Sequence, residues 1–279
     1  MTSPMTSPPT TGPRPEATTR TGAIRTHTNG PIGWIVIDHP ARLNALGFDM
    51  WRDLMTAVKA AEADDAIRVV VVRGVGEKAF SAGADISEFE TARAGDRVKL
   101  YDAMNNDVFH VLMYCAKPTI AMIHGICYGG GLEIAACCDM RLAAEGSAYS
   151  VPAAKLGIGY NPRWIRPVLA SLSPAHAKEM LFTGRRFTAP EALAIGFLNR
   201  IVTPDALEAA VIGLAHEIAA NAPLSIYAAK RAVDEFAYRP EAVDMAALDA
   251  LIADCFHSED YAEGRRAFMA KRKPVFKGR

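Results

Sequence analysis

One stretch constrains this chain more than any other. An apolar segment, Thr119 to Ile123, runs into His124-Gly-Ile-Cys-Tyr-Gly-Gly-Gly-Leu-Glu-Ile-Ala-Ala-Cys-Cys-Asp-Met140. This reads as a buried strand, a turn at Gly129, Gly130 and Gly131, and then an apolar helix with Glu133 in its first turn. Glycine admits positive φ and close approach of a ligand to the main chain. A helix start presents unpaired N–H groups and a partial positive charge. Together they make a place where negative charge can develop. Glu133 lies within an apolar run, where a carboxylate is costly unless it is paired or used. A tight turn with a dipole-complementing glutamate is the bland alternative.

The chain repeats the arrangement upstream. The valine run Val69 to Val72 suits a strand buried on both faces. It leads through Gly74-Val-Gly-Glu-Lys-Ala-Phe-Ser-Ala-Gly-Ala-Asp-Ile86 into a helix start that Asp85 can cap. Two strand–loop–helix starts place the N–H groups of Ala84 and Gly130 as candidates to converge on one site.

Around these units the order is regular. Ile24 to Thr28 and Gly33 to His39 read as a hairpin turned at Asn29-Gly30. Asp49 to Ala61 has helical spacing, as does Leu100 to Tyr114. Met140 to Ala144, Ala148 to Val151 and Phe197 to Val202 read as short strands. Helices are expected from Arg163, after Ser173-Pro174, after Thr188, and from Asp205 onward with starts at Pro223 and Pro240. The pattern is an α/β front half with a helical tail.

Composition narrows the function classes. Acidic and basic residues balance at 31 each in 279 residues, so no general pull toward nucleic acid or acidic membrane is expected. No apolar run reaches bilayer-spanning length. Residues 1–20 are rich in Pro, Thr and Ser and lack the apolar centre of a signal peptide; a disordered tail is expected there. Five cysteines without metal-ligand spacing suggest reduced core thiols in a cytoplasmic protein. Seven scattered histidines form no triad or metal group. No metal, nucleotide triphosphate or redox cofactor is implied.

Four segments in this order and spacing carry a resemblance to the crotonase (enoyl-CoA hydratase/isomerase) superfamily, from about Ala23 to the C-terminus. They are Pro40-Ala-Arg-Leu-Asn-Ala-Leu46, Phe80-Ser-Ala-Gly-Ala-Asp-Ile86, Gly129 to Glu133, and Glu263-Gly-Arg-Arg-Ala-Phe-Met-Ala-Lys-Arg-Lys-Pro-Val-Phe-Lys277. Phe182-Thr-Gly-Arg-Arg-Phe-Thr-Ala and Glu191-Ala-Leu-Ala-Ile-Gly-Phe-Leu-Asn-Arg200 also fit. The resemblance implies an α/β spiral of ββα units over residues 21–205 and a helical trimerisation region over residues 206–279, assembled as a trimer or dimer of trimers. It implies an acyl-CoA substrate, with coenzyme A entering as part of it, and a place in fatty acid metabolism. The thioester oxygen would lie between the N–H groups of Ala84 and Gly130. Losing one such donor elsewhere costs roughly 3–4 kcal/mol of barrier. The same resemblance suggests coenzyme A contacts at Arg42, Ala45 and Leu46, an adenine pocket at Ala82, Asp85 and Ile86, and cover of the ADP end from Phe268 with Lys271 or Lys277, contributed by this subunit or by a neighbouring one. A solvated basic tail is the alternative for the last two.

One departure touches the reaction itself. Hydratases of this family use two glutamates; Glu133 matches one, and Ala153 stands where the other would be. Three accounts stay open: a hydratase working through Glu133 alone, a decarboxylase in which Tyr160 acts as proton donor, and a double-bond isomerase with Glu133 shuttling one proton. The hydratase-type lyase is the leading expectation. From another class comes a weakly catalytic acyl-CoA- or RNA-binding member that keeps the fold. Lys155 and Glu88 are weaker candidates, and Asp139 is expected to bond backbone.

Overall fold

The structure, a computed structural model, describes residues 22–85 and 97–279. The expected tail at residues 1–20, and Ile86 and Glu88, lie outside the described residues.

The chain opens with a hairpin, β1 (Ala23–Asn29) and β2 (Ile32–Asp38). Asn29 pairs with Ile32, so the turn residues are Gly30 and Pro31, one position later than the Asn29-Gly30 signal. Gly30 takes φ +56° there, a value that glycine meets without strain. A 3-10 turn, Pro40–Arg42, leads to α1 (Phe48–Ala63), whose Met50, Trp51, Leu54, Val58 and Ala61 face the core. Then follow β3 (Val69–Gly74), β4 (Ala79–Ser81), α2 (Arg97–Met113), β5 (Thr119–Ile123), β6 (Ile126–Tyr128), α3 (Gly130–Cys137), β7 (Met140–Ala144) and β8 (Ala148–Ser150). The remainder comprises a 3-10 turn Pro152–Leu156, α4 (Pro162–Ser171), α5 (Pro174–Thr183), β9 (Phe187–Thr188), α6 (Ala189–Ala194), β10 (Arg200–Val202) and four helices. These are α7 (Leu207–Ala219), α8 (Pro223–Tyr238), α9 (Met245–His257) and α10 (Glu259–Met269).

Two sheets form. One has the order β1-β2-β3-β5-β7-β10, the other β4-β6-β8-β9. Apart from the β1–β2 and β8–β9 pairs, neighbouring strands run parallel. Each of β3, β5 and β7 leaves the first sheet, turns a short corner and enters the second as β4, β6 or β8. This repeated ββ corner is the spiral. The short strands β4, β6 and β9 were not distinguishable in the sequence, because a strand of two or three residues carries no period.

The inner strands of the first sheet, β2, β3, β5 and β7, are buried on both faces, which explains their apolar runs, whereas the edge strand β1 is largely exposed. Ile35, Ile37, Val70, Val72, Ala121 and Ile123 face the main core. Ile32, Trp34, Val69, Val71, Ile120 and Met122 face outward, and α7 covers them with Leu207, Val211 and Ala215. The boundary expected at residue 205 therefore falls just before a helix that packs on the sheet. The strand expected over Phe197 to Val202 is confined to Arg200–Val202. Phe197 is instead fully buried in the main core. Pro240 does not start a helix; α9 begins at Met245, and Asp244 caps it through Ala247 N.

Candidate active site

The site is built on two of the ββ corners. After β4, residues 82–85 pair with the loop that follows β2. Leu46 N donates to Gly83 O at 2.8 Å, and Asp85 N donates to Leu46 O at 2.9 Å. A parallel bridge made by the residues flanking Ala84 turns Ala84's own N–H away from Leu46. After β6, Gly129 takes φ +49° and starts α3, so Gly130 contributes a first-turn N–H without a helical partner.

The two segments meet. A Cβ on Gly83 would stand 2.9 Å from Gly130 N, and one on Gly131 would stand 2.5 Å from Ser81 O. A Cβ on Gly130 would lie 3.7 Å from Ala84 N. The two segments singled out in the sequence thus lie side by side, and their close approach depends on missing side chains at 83 and 131.

Beside this pair lies Glu133, one turn into α3 and only 1% exposed. Tyr160 donates its phenolic hydrogen to Glu133 Oε1. Glu133 Oε2 is buried with no hydrogen-bond partner. Burial raises the carboxyl from 4.5 to about 8, while the Tyr160 hydrogen bond pulls the other way. Burial and the neighbouring Glu133 also push the Tyr160 phenol well above its ordinary value.

An aromatic chain links the two chemical elements. Trp51 lies against Gly130, where a Cβ would meet its ring at 3.0 Å. Trp51 packs edge-on to Phe109 at 5.6 Å, Phe109 to Trp164 at 5.8 Å, and Trp164 to Tyr160 at 5.8 Å. Trp164 Nε1 donates to Asn106 Oδ1 at 2.8 Å, which fixes the indole. Of these aromatics only Tyr160 was assigned from the sequence; Trp51, Phe109 and Trp164 went unassigned because they come from three separate helices.

Glu133, Gly130, Ala84 and Tyr160 all line one cleft of about 460 Å³. Arg42, Ala45, Ala82 and Asp85 line it too, and so does Ala153, in the 3-10 turn after β8. Leu46 does not: its side chain is fully buried in the core, and only its backbone serves the site. Lys155 is exposed and outside the lining. Phe268 lies elsewhere, in a groove between α8, α9 and α10 that also holds Cys255, Phe256 and Phe276. Lys271 and Lys277 line neither cleft nor groove; Lys277 N donates to Asp260 Oδ1 at 2.7 Å. Asp139 Oδ2 accepts from Thr119 N and Oγ1 and from Lys230 Nζ, so it serves the start of β5 and one lysine. Among the described residues no group of three or more His, Cys, Asp or Glu is placed to hold a metal. No single described helix is long and apolar enough to cross a membrane.

Comparison with known proteins agrees with this architecture. A crystal structure of an enoyl-CoA hydratase/carnithine racemase from Magnetospirillum magneticum superposes with a TM-score of 0.88 and 39% identity. It covers 93% of this chain and 98% of that one. A short-chain-enoyl-CoA hydratase of Clostridium acetobutylicum is 32% identical over 244 residues, 88% of this chain and 93% of the relative. A crotonyl-CoA hydratase of Syntrophomonas wolfei is 33% identical over 248 residues, 87% of this chain and 93% of the relative. The enoyl-CoA hydratase/isomerase family model matches residues 27–279, and the chain belongs to that family.

Proposed function

We propose that the protein hydrates 2-enoyl-CoA thioesters, with Glu133 as the single acid/base. The observation that carries this reading is the Glu133 carboxyl itself: buried, held at Oε1 by Tyr160, free at Oε2, and one turn from Gly130 N–H. The relatives named as hydratases support it.

The chemistry balances with one carboxylate. Ionised Glu133 takes a proton from water as the water oxygen bonds to C3 of the enoyl group. The π electrons pass through C2 to the thioester oxygen, where the N–H groups of Ala84 and Gly130 stabilise the enolate. The enolate then collapses, and C2 takes the proton back from Glu133. The carboxylate is regenerated, and water has been added across the double bond. Tyr160 orients the carboxyl, so that the acid and base roles fall to Oε2.

The residue at Ala153 favours a second reading. With no carboxyl there, a Glu133 that moves one proton between C2 and C4 of a 3-enoyl thioester makes a double-bond isomerase. The Tyr160-dependent decarboxylase stands behind it, because the Tyr160 hydroxyl is already engaged with Glu133.

On the same reading coenzyme A follows Arg42, Ala45 and Ala82 out of the cleft. A second copy of the chain covers the α8–α10 groove, where Phe268 is 82% exposed. Loss of the conjugated-thioester absorbance of a short unbranched 2-enoyl-CoA, absent in Glu133→Gln, is the test. No loss by the wild-type protein, with the thioester bound, sends the assignment to the isomerase.

A further inference from the structure

The segment Pro40 to Leu46 contains a buried residue that the reaction above leaves without a role. Asn44 is 0% exposed and holds φ +57°, a left-handed conformation that asparagine tolerates better than other side-chain-bearing residues. Every polar atom of its side chain is used. His39 N donates to Oδ1 at 3.0 Å, and Nδ2 donates to Val75 O at 3.1 Å and Ala79 O at 2.7 Å. The amide therefore ties the end of β2 to both sides of the β3–β4 corner. Gly74 makes room for it: a Cβ there would stand 2.6 Å from Nδ2.

The main chain of the same residue reaches the site. Ser81 Oγ donates to Asn44 O at 2.8 Å and accepts from Gly83 N at 3.0 Å. On either side, Ala82 N donates to Leu43 O at 2.9 Å and Leu46 N donates to Gly83 O at 2.8 Å. Residues 82–85 are thus templated on residues 43–46, and Asn44 fixes where that template sits. The direction of the Ala84 N–H is the outcome.

We propose that Asn44 is a positioning residue for the thioester-polarising donor at Ala84. Its buried amide aims that N–H without touching substrate. The inference rests on the hydratase reading, in which Ala84 N–H meets the thioester oxygen. Misplacing a catalytic group by about 1 Å costs on the order of 100-fold in rate, so loss of the hub acts on turnover more than on coenzyme A binding.

Asn44→Gly is the variant of choice, because it keeps the backbone conformation and removes only the amide. A short unbranched 2-enoyl-CoA is bound to each protein in a Glu133→Gln background, which slows turnover enough to observe the bound thioester. The red shift of the conjugated thioester and the drop in its carbonyl stretching frequency report polarisation by the donors. The expected result is a loss of most of both shifts in Asn44→Gly. Free coenzyme A affinity should change less than threefold, and kcat with Glu133 present should fall by about 10- to 100-fold. Ser81→Ala, which removes one link and leaves the amide hub, should give a smaller change in the same direction. A folded Asn44→Gly protein with full shifts and lowered thermal stability overturns the inference and makes Asn44 structural only. If Asn44→Gly does not fold, Ser81→Ala decides, and unchanged shifts there overturn it. No shift in the Glu133→Gln parent removes the hydratase reading and this inference together.

Discussion

Tyr160 donates to one oxygen of Glu133 and leaves the other without any partner. In the proposed reaction the hydrogen bond leaves Oε2 as the carboxyl oxygen that does the chemistry. It also works against the burial that raises the carboxyl to about 8. Removing the carboxyl with Glu133→Gln should lower hydration by about 10²–10⁴-fold, the span of general acid–base help. Calorimetric titration should find the enoyl thioester still bound. Activity retained within tenfold would exclude Glu133 as the acid/base.

Hydration needs the ionised carboxylate. In the free protein that form is the minor one below about pH 8. We predict that kcat/KM for hydration rises about tenfold per pH unit through neutrality and levels off above about 8. A profile flat from pH 6 to 9 would contradict the raised carboxyl.

Tyr160→Phe deletes a hydrogen bond that lowers the Glu133 pKa. The inflection of the same profile should therefore move to higher pH, with a loss of about tenfold in kcat/KM at neutrality. An unmoved inflection would mean that the phenol does not act on the carboxyl.

The same carboxyl affects stability, and the sign is opposite to that of an ion-paired acid. The folded protein keeps a proton on Glu133 between its ordinary 4.5 and about 8, while the unfolded chain has lost it. Stability from this group is complete below about 4.5 and declines as pH rises toward 8, at about 1.4 kcal/mol per unit at most. Glu133→Gln carries no such charge to bury. Its advantage over wild type in thermal unfolding should grow from pH 5 to pH 8.

Glycines 83 and 131 hold the two donor segments together. Gly83 has φ +95°, and an added Cβ would press on Gly130 N. Gly83→Ala should cost about 1–3 kcal/mol of stability and abolish turnover. Near-normal kcat would show that the donors need no such approach.

Much of this arrangement was legible before any coordinates. The Val69–Val72 run and the Thr119–Ile123 strand announced a doubly buried parallel sheet. The glycines before Glu133 announced a helix start with open donors. Tyr160 was named because Ala153 left a chemical gap, and the structure places both in the same cleft. What the sequence withheld was three-dimensional adjacency. The hydrogen bond between Tyr160 and Glu133 spans 27 positions, and the Trp51–Phe109–Trp164 wall spans three helices. Leu46 was assigned to the ligand by its motif, yet its side chain faces the core and only its backbone reaches the site.

The cysteines divide unevenly. Cys115, Cys127, Cys137 and Cys138 are buried, and burial pushes the Cys138 thiol up to about 12. Cys255 alone among the five is partly open, and it sits in the apolar groove between α8, α9 and α10. The chain thus carries a native reporter thiol at the surface where copies are proposed to meet. A maleimide should label one site per chain after dilution or mild dissociation and label poorly in the assembled protein. The kinetics of subunit exchange can then be followed without introducing a foreign residue.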